Sequence, residues 1–363
     1  MRLRALIVIL LITLFSATSY ASQEADDQYT DADSLYRSGK LTGAEKRLTE
    51  ILAAEPKHVS SLFLMGEILS KDIRRLKEAE GWYKKTLDAC GGDRVVTTKS
   101  TYAIAVLYMK MGRYEDAISE FAELVNKFPD YYDVPRAYNQ MGVASYRLDR
   151  YDEALGYFKA AIKSDPNLLE AVFNMKTLQG QLSLLNSARY YQRLGDTDAA
   201  IARYNDALER YPNYVAAWYQ LGLVYLGKKD YDQAIKSLSR ARVLNPKYLG
   251  DAEVPYQLAE AYEGRGGKGD TDTALKLYLQ STSYKDSMLK AGIIYMNMGR
   301  LADAEKAFST MTASGENKKV QAEAWYQTGI LYKKKSDTQK AATAFQKALE
   351  LAPGEERYKS PPL

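Results

Sequence analysis

The residues that could do chemistry are few. His58 is the only histidine and Cys90 the only cysteine, and they lie far apart in the chain. A Ser-His-Asp triad needs an imidazole beside its nucleophile, and a structural zinc needs four nitrogen or sulfur ligands, so neither site has enough parts. Both residues are therefore read as structural. Carboxylates remain, because hydrolysis of a glycosidic bond needs only two of them at a set separation. Glu253, Glu260 and Glu263 are candidates at helical spacing, although solvated acidic positions on a helix give the same pattern.

One glycine-rich run, Gly264-Arg265-Gly266-Gly267-Lys268-Gly269-Asp270-Thr271-Asp272, has the look of a phosphate or calcium loop. A phosphate loop would need Gly where Tyr262 stands, Ser or Thr where Gly269 follows the lysine, and a preceding strand. A calcium loop would need further oxygen ligands and a Gly after the Asp270 and Asp272 pair, but Thr273 and Ala274 follow. The run is expected to be a lengthened turn between helices. No catalytic residue, metal or cofactor is expected anywhere in the chain.

The elements around these residues follow one pattern, stated most fully from Val215 to Pro246. Trp218, Leu221, Gly222 and Tyr225 fall three and four residues apart, as on one face of a helix. Lys228, Lys229 and Asp230 form a turn, and Tyr231, Ala234, Leu238 and Ala241 repeat the spacing on a second helix that Pro246 ends. Gly222 and Ala234 leave room for the two backbones to approach, with Trp218 and Tyr225 filling the remaining space.

This order of Trp, Leu-Gly, Tyr, Ala, large apolar residue and Pro resembles the tetratricopeptide repeat, a helix-turn-helix unit of 34 residues that stacks into a solenoid. The resemblance implies an all-α fold, a right-handed superhelix of about nine such repeats. Four repeats are expected within 25–168, with Leu35, Gly39, Ala44, Leu48 and Pro56 marking the first. The frame slips after Leu168, where Leu169, Val172, Met175, Leu178, Leu182 and Leu185 keep helical spacing. One overlong helix bent at Gly180 is expected there, with 169–180 as a junction and the place for any subdomain break. Five more repeats fill 181–355, the last marked by Trp325, Gly329, Tyr332, Ala341, Phe345, Ala348 and Pro353. The tail, 356–363, is expected to leave Ala342, Leu349 and Ala352 as a self-association edge, which keeps a self-assembling array open as a reading.

Composition suits a soluble folded chain: 363 residues, 46% hydrophobic and 26% charged. With 50 basic against 46 acidic residues there is no electrostatic case for nucleic acid. The first residues read as a secretory signal peptide, 1–21: Arg2 and Arg4, an apolar run from Ala5 to Phe15, and the small residues Ser19 and Ala21 before Ser22. Cleavage between Ala21 and Ser22 is expected. The apolar run, about 17 Å as a helix, is short for a membrane span, so none is expected after cleavage. One cysteine allows no internal disulfide, and no Asn-x-Ser/Thr acceptor is present. These point to a periplasmic or secreted protein, with a bacterial envelope favoured.

Tyrosine is abundant, with 30 residues against 8 Phe and 3 Trp. In tetratricopeptide proteins the concave groove is lined by first helices at frame positions 5, 9 and 12, which the resemblance carries onto this chain. Position 5 supplies Tyr29, Phe63, Tyr102, Tyr219, Tyr256 and Tyr326, position 9 Val106, Val143, Leu223, Ile293 and Ile330, and position 12 Tyr146. Such a groove suits an extended peptide or an amphipathic helix, while the position-5 tyrosines equally suit packing between repeats. Family members that clamp an acidic C-terminus carry Lys and Asn at positions 5 and 9 of the first repeat; Tyr29 and Asp33 stand there, so that clamp is not expected. The implied function is a non-catalytic scaffold or adaptor for protein or peptide partners in the cell envelope, serving envelope assembly or cell-wall or polysaccharide export machinery. A carbohydrate-binding or carboxylate-based glycan-active protein is the alternative in another class.

Overall fold

A computed structural model describes residues 24–313 and 317–359. Among them the regular structure is helical throughout, with nineteen α-helices, one 3-10 turn and no strand. The all-α array expected from the periodicity is what the chain forms. The signal segment, with Ala21 and Ser22, lies outside the described residues. Among those described, no helix is long and apolar enough to cross a membrane.

The described residues divide between two compact units, one reaching Leu178 and the other starting at Gln179. The first holds four helix pairs: α1 (residues 24–37) with α2 (Leu41–Ala54), α3 (Val59–Leu69) with α4 (Leu76–Ala89), α5 (Arg94–Lys110) with α6 (Tyr114–Lys127), and α7 (Val134–Arg147) with α8 (Tyr151–Ser164). Successive pairs pack through α2 and α3, α4 and α5, and α6 and α7. Between α3 and α4 the chain forms the 3-10 turn Ile73–Arg75, where the Asp72 side chain accepts from the Arg74 amide. Helix α5 starts earlier than the repeat frame requires, because Asp93 caps it by accepting from the Val96 amide at 2.8 Å.

Helix α9 (Leu169–Arg193) is continuous, and the division between the units falls within it. Gly180, expected to mark a bend, sits in unbroken helix, and a Cβ there would collide with the Tyr211 hydroxyl. Its role is clearance. The second unit continues with α10 (Thr197–Arg210), then the pairs α11 (Val215–Gly227) and α12 (Tyr231–Leu244), α13 (Glu253–Arg265) and α14 (Asp270–Gln280), α15 (Ser287–Asn297) and α16 (Leu301–Ala313), and α17 (Lys318–Lys334) and α18 (Thr338–Leu351). It closes with a single turn, α19 (Glu356–Lys359).

Two features of the pairs follow from the small residues of the frame. First-helix glycines sit against the large residue of the second helix: a Cβ on Gly222 would come within 2.6 Å of Leu238 Cγ, and one on Gly66 within 2.7 Å of Tyr83 Cε1. The absent side chain sets how closely the helices approach. The turn within most pairs takes one left-handed residue, supplied by Gly39, Gly112, Gly195 and Gly299 but by Asp149, Lys229 and Ser336 elsewhere, the last three with φ near 60°. Asp196, Asp230 and Asp337 follow such turns and cap the next helix through amides at Ala199, Gln233 and Lys340.

Candidate functional site

The residues singled out for chemistry are all engaged in structure. His58 precedes α3, its Nδ1 2.7 Å from Ser61 Oγ, its Nε2 3.0 Å from Asp26 Oδ1 and its ring 5.9 Å from that of Tyr29. It therefore ties α1 to α3. The Cys90 thiol donates to the Leu87 carbonyl. Among the described residues no group of His, Cys, Asp or Glu is arranged to hold a metal ion.

The three candidate carboxylates each accept from a tyrosine. The Tyr219 hydroxyl donates to Glu253 at the start of α13, tying α11 to the next pair. The Tyr256 hydroxyl donates to Glu260 at 3.3 Å and to Asp286 at 2.6 Å, and Tyr278 donates to Glu263 at 2.7 Å. Burial raises the Glu260 pKa above the usual carboxylate value. The glycine-rich turn closes on itself as well. Arg265 holds both oxygens of Asp270 at 2.8 Å, and the Gly267 amide donates to the same carboxylate. Those bonds keep Asp270 below its ordinary pKa, with Arg265 as the largest cause. The turn starts α14 and has no oxygen of Asp270 left over for a cation.

Two of the position-5 aromatics occupy a different place from the one a ligand groove requires. Tyr219 and Tyr256 are 2% and 3% exposed, which corrects the expectation that they line an open surface. Tyr219 packs edge-on against Tyr248, at 5.4 Å between centroids, and Tyr256 against both Tyr278 and Tyr284. In the first unit Tyr102 meets Phe121 and Tyr131 in the same way, and burial, followed by the Asp133 carboxylate, pushes its hydroxyl up to about 12. An aromatic at the start of one repeat thus sits beneath a ring from the segment that leads into the next. Such edge-to-face pairs contribute about 0.5–1.5 kcal/mol beyond their buried area. Trp218, assigned from sequence to the space between helices, is instead half-buried, with its indole N–H donating to the Pro212 carbonyl at 2.8 Å.

What remains open is a smaller set. Tyr29, Phe63, Tyr102, Val106, Val143 and Tyr146 in the first unit are half-buried, as are Leu223, Ile293, Tyr326 and Ile330 in the second. The position-9 aliphatics among them keep part of their surface in water beside the packed tyrosines.

At the end of the second unit Ala342 is exposed, whereas Leu349 and Ala352 belong to a packed cluster. Tyr358, on α19, is 3% exposed and clusters with Ala322 and Ala348, against which Trp325, Leu349 and Ala352 pack. Its ring lies 5.0 Å from that of Tyr326, and its hydroxyl donates to Glu323 at 2.9 Å. Tyr358 stands to Tyr326 as Tyr248 does to Tyr219, a ring from the segment after the repeat set against its position-5 aromatic. The signal was present in the sequence as a tyrosine 28 to 32 residues after Tyr102, Tyr219, Tyr256 and Tyr326.

A tetratricopeptide repeat family model matches residues 29–94, 102–168 and 185–248, and a second one matches 322–355. The Xenopus laevis protein O-mannosyl-transferase tmtc2 is 34% identical over 20% of this chain and 9% of its own length. A TPR repeat-containing protein of Methanocaldococcus jannaschii is 21% identical, covering 75% of this chain and 55% of its own. The chain thus spans about a tenth of the transferase and about half of the archaeal protein. The transferase likeness is a partial match of repeats. Among solved structures, that of the MamA protein aligns with a TM-score of 0.42 at 23% identity, over 50% of this chain and 96% of the other. With repeats matched across more than half its length, and with stacked helix pairs as its architecture, the chain belongs to the tetratricopeptide repeat family.

Proposed function

We propose that this protein is an exported, non-catalytic scaffold that holds a protein or peptide partner in the cell envelope, with the bacterial periplasm as its compartment. The observation that carries the binding part is the half-buried aliphatic row at position 9, Val106 and Val143 in one unit and Leu223, Ile293 and Ile330 in the other. These side chains are apolar and only partly covered, whereas Tyr219 and Tyr256 are sealed into the joints between repeats. Partly covered apolar surface favours a partner that buries the remainder, at about 25 cal/mol per Å². Export is supported by the basic, apolar and small-residue order of residues 1–21.

Affinity capture from an envelope extract tests the binding surface, comparing the wild type with a Leu223→Glu, Ile293→Glu variant. Loss of one specific protein from the variant's capture, with circular dichroism unchanged, is the expected result. Equal capture by both would remove the aliphatic row from the account. Fractionation and N-terminal sequencing test the compartment. A periplasmic product beginning at Ser22 is expected, and a cytoplasmic chain beginning at Met1 would refute export.

A further inference from the structure

We propose that a cleft on α9 in the second unit binds an acidic peptide segment carrying carboxylates at alternate positions. The cleft is open, about 480 Å³, and lined by Asn186, Arg189, Gln192 and Arg193. All four side chains are exposed. Among the described residues neither arginine has a carboxylate partner, although most arginines of this protein do. Gln192 is oriented by the buried Tyr204, whose hydroxyl donates to Gln192 Oε1 at 2.9 Å. That bond occupies the amide oxygen and leaves the amide N–H₂ as a donor. The lining thus presents two guanidinium groups and a positioned amide, with no carboxylate among them.

Spacing selects the ligand. Arg189 and Arg193 are four residues apart on a helix, about 6 Å along its axis. Alternate side chains of an extended chain repeat at about 6.7 Å. Two carboxylates in a Glu-x-Glu segment therefore meet one arginine each, through forked charge-assisted hydrogen bonds. A lone tetrahedral anion would need donors converging on one point, whereas these are spread along one turn. This proposal rests on reading the chain as a peptide-binding scaffold.

Fluorescence anisotropy on the full chain tests it, with labelled peptides that differ only in Glu-x-Glu, Glu-Glu or Gln-x-Gln. The Glu-x-Glu peptide is expected to bind best, and the Arg189→Gln, Arg193→Gln variant to bind it about tenfold more weakly, from two exposed ion pairs. The Arg189→Lys, Arg193→Lys variant should fall between, since charge is kept and the fork is lost. Equal binding of Glu-x-Glu and Gln-x-Gln, equal binding by wild type and the glutamine variant, or no binding of any peptide overturns the proposal. Displacement by inorganic phosphate at matched ionic strength overturns the peptide assignment in favour of a simple anion site. If partner capture succeeds while these peptides fail, the cleft alone is wrong; if capture fails while Glu-x-Glu binds through both arginines, the envelope scaffold reading falls and the cleft stands.

Discussion

Gly222→Ala isolates what sets the distance between two helices of one repeat. The added Cβ would lie 2.6 Å from Leu238 Cγ, 2.8 Å from its Cδ2 and 3.2 Å from its backbone nitrogen. Carbon atoms in contact prefer about 3.5–4.0 Å, so roughly 1 Å of separation is missing. Rotating Leu238 does not supply it, because the side chain is fully buried with no space to turn into and its backbone nitrogen, at 3.2 Å, does not move with the side chain. Overpacking of this kind costs about 1–3 kcal/mol. Against it stands the helix preference of Ala over Gly, about 0.8–1.0 kcal/mol. The equivalent pairs Ala105 with Phe121 and Ala188 with Tyr204 already carry the methyl, so a repeat can be built at the wider spacing and the cost belongs at the low end. The net expectation is close to no change, a loss of about 0–0.2 kcal/mol. Gly156→Ala in α8, where nothing lies within 4 Å of the added carbon, is the control and should gain about 0.8 kcal/mol. Because a repeat array need not unfold in one step, the readout is amide hydrogen exchange of α11 and α12, with urea unfolding as a check. If Gly222→Ala gains as much as Gly156→Ala, the glycine is not what holds the helices together.

Three further outcomes follow from the same structure. Lys229→Gly relieves a left-handed residue at φ 60° and should raise stability by about 0.5–1 kcal/mol in a urea melt, after the added freedom of the unfolded chain is subtracted. Tyr219→Ala should cost about 3–5 kcal/mol and more than Trp218→Ala, measured side by side, since the tyrosine is sealed and the tryptophan only half-buried. Glu305 is held below its ordinary pKa by Lys335 first and the Tyr332 hydroxyl second. A depressed carboxylate stabilises the fold above its unfolded value of about 4.3 and loses that contribution as pH falls through the lower folded value. Acid titration followed by circular dichroism should therefore show Glu305→Gln losing less stability than wild type below about pH 4.

The repeat frame was legible because it is written in residue types that have one physical job each. Small residues at Gly222 and Ala234 and prolines after the second helices gave the hairpins, and the slip after Leu168 gave the long helix α9. Which side of a first helix faces inward was less legible. Trp218 and Tyr219 are adjacent, and both are large, amphipathic and suited to burial, so the helix's own periodicity does not choose between them. The choice is made by Tyr248 and Glu253, which arrive from the following segment and cover Tyr219. For the same reason the sequence left the position-5 tyrosines open between a binding row and packing, and Tyr219 and Tyr256 are packed into joints. The arginine pair on α9 escaped notice because two charges one turn apart are ordinary on a solvated helix. The cleft they share and the orientation of Gln192 by Tyr204 set them apart.

The seat that Tyr358 fills has a bearing on how such chains change length. The joints at Tyr219 and Tyr256 are closed by the same chemistry: a ring on one side of a repeat boundary and an acidic acceptor on the other. An added copy of residues 215–248 spliced behind Tyr248 would meet a matching socket and offer a matching plug. Whole-repeat gain or loss is therefore the tolerated currency of variation, while a shift of two or three residues would leave both halves of a joint without a mate.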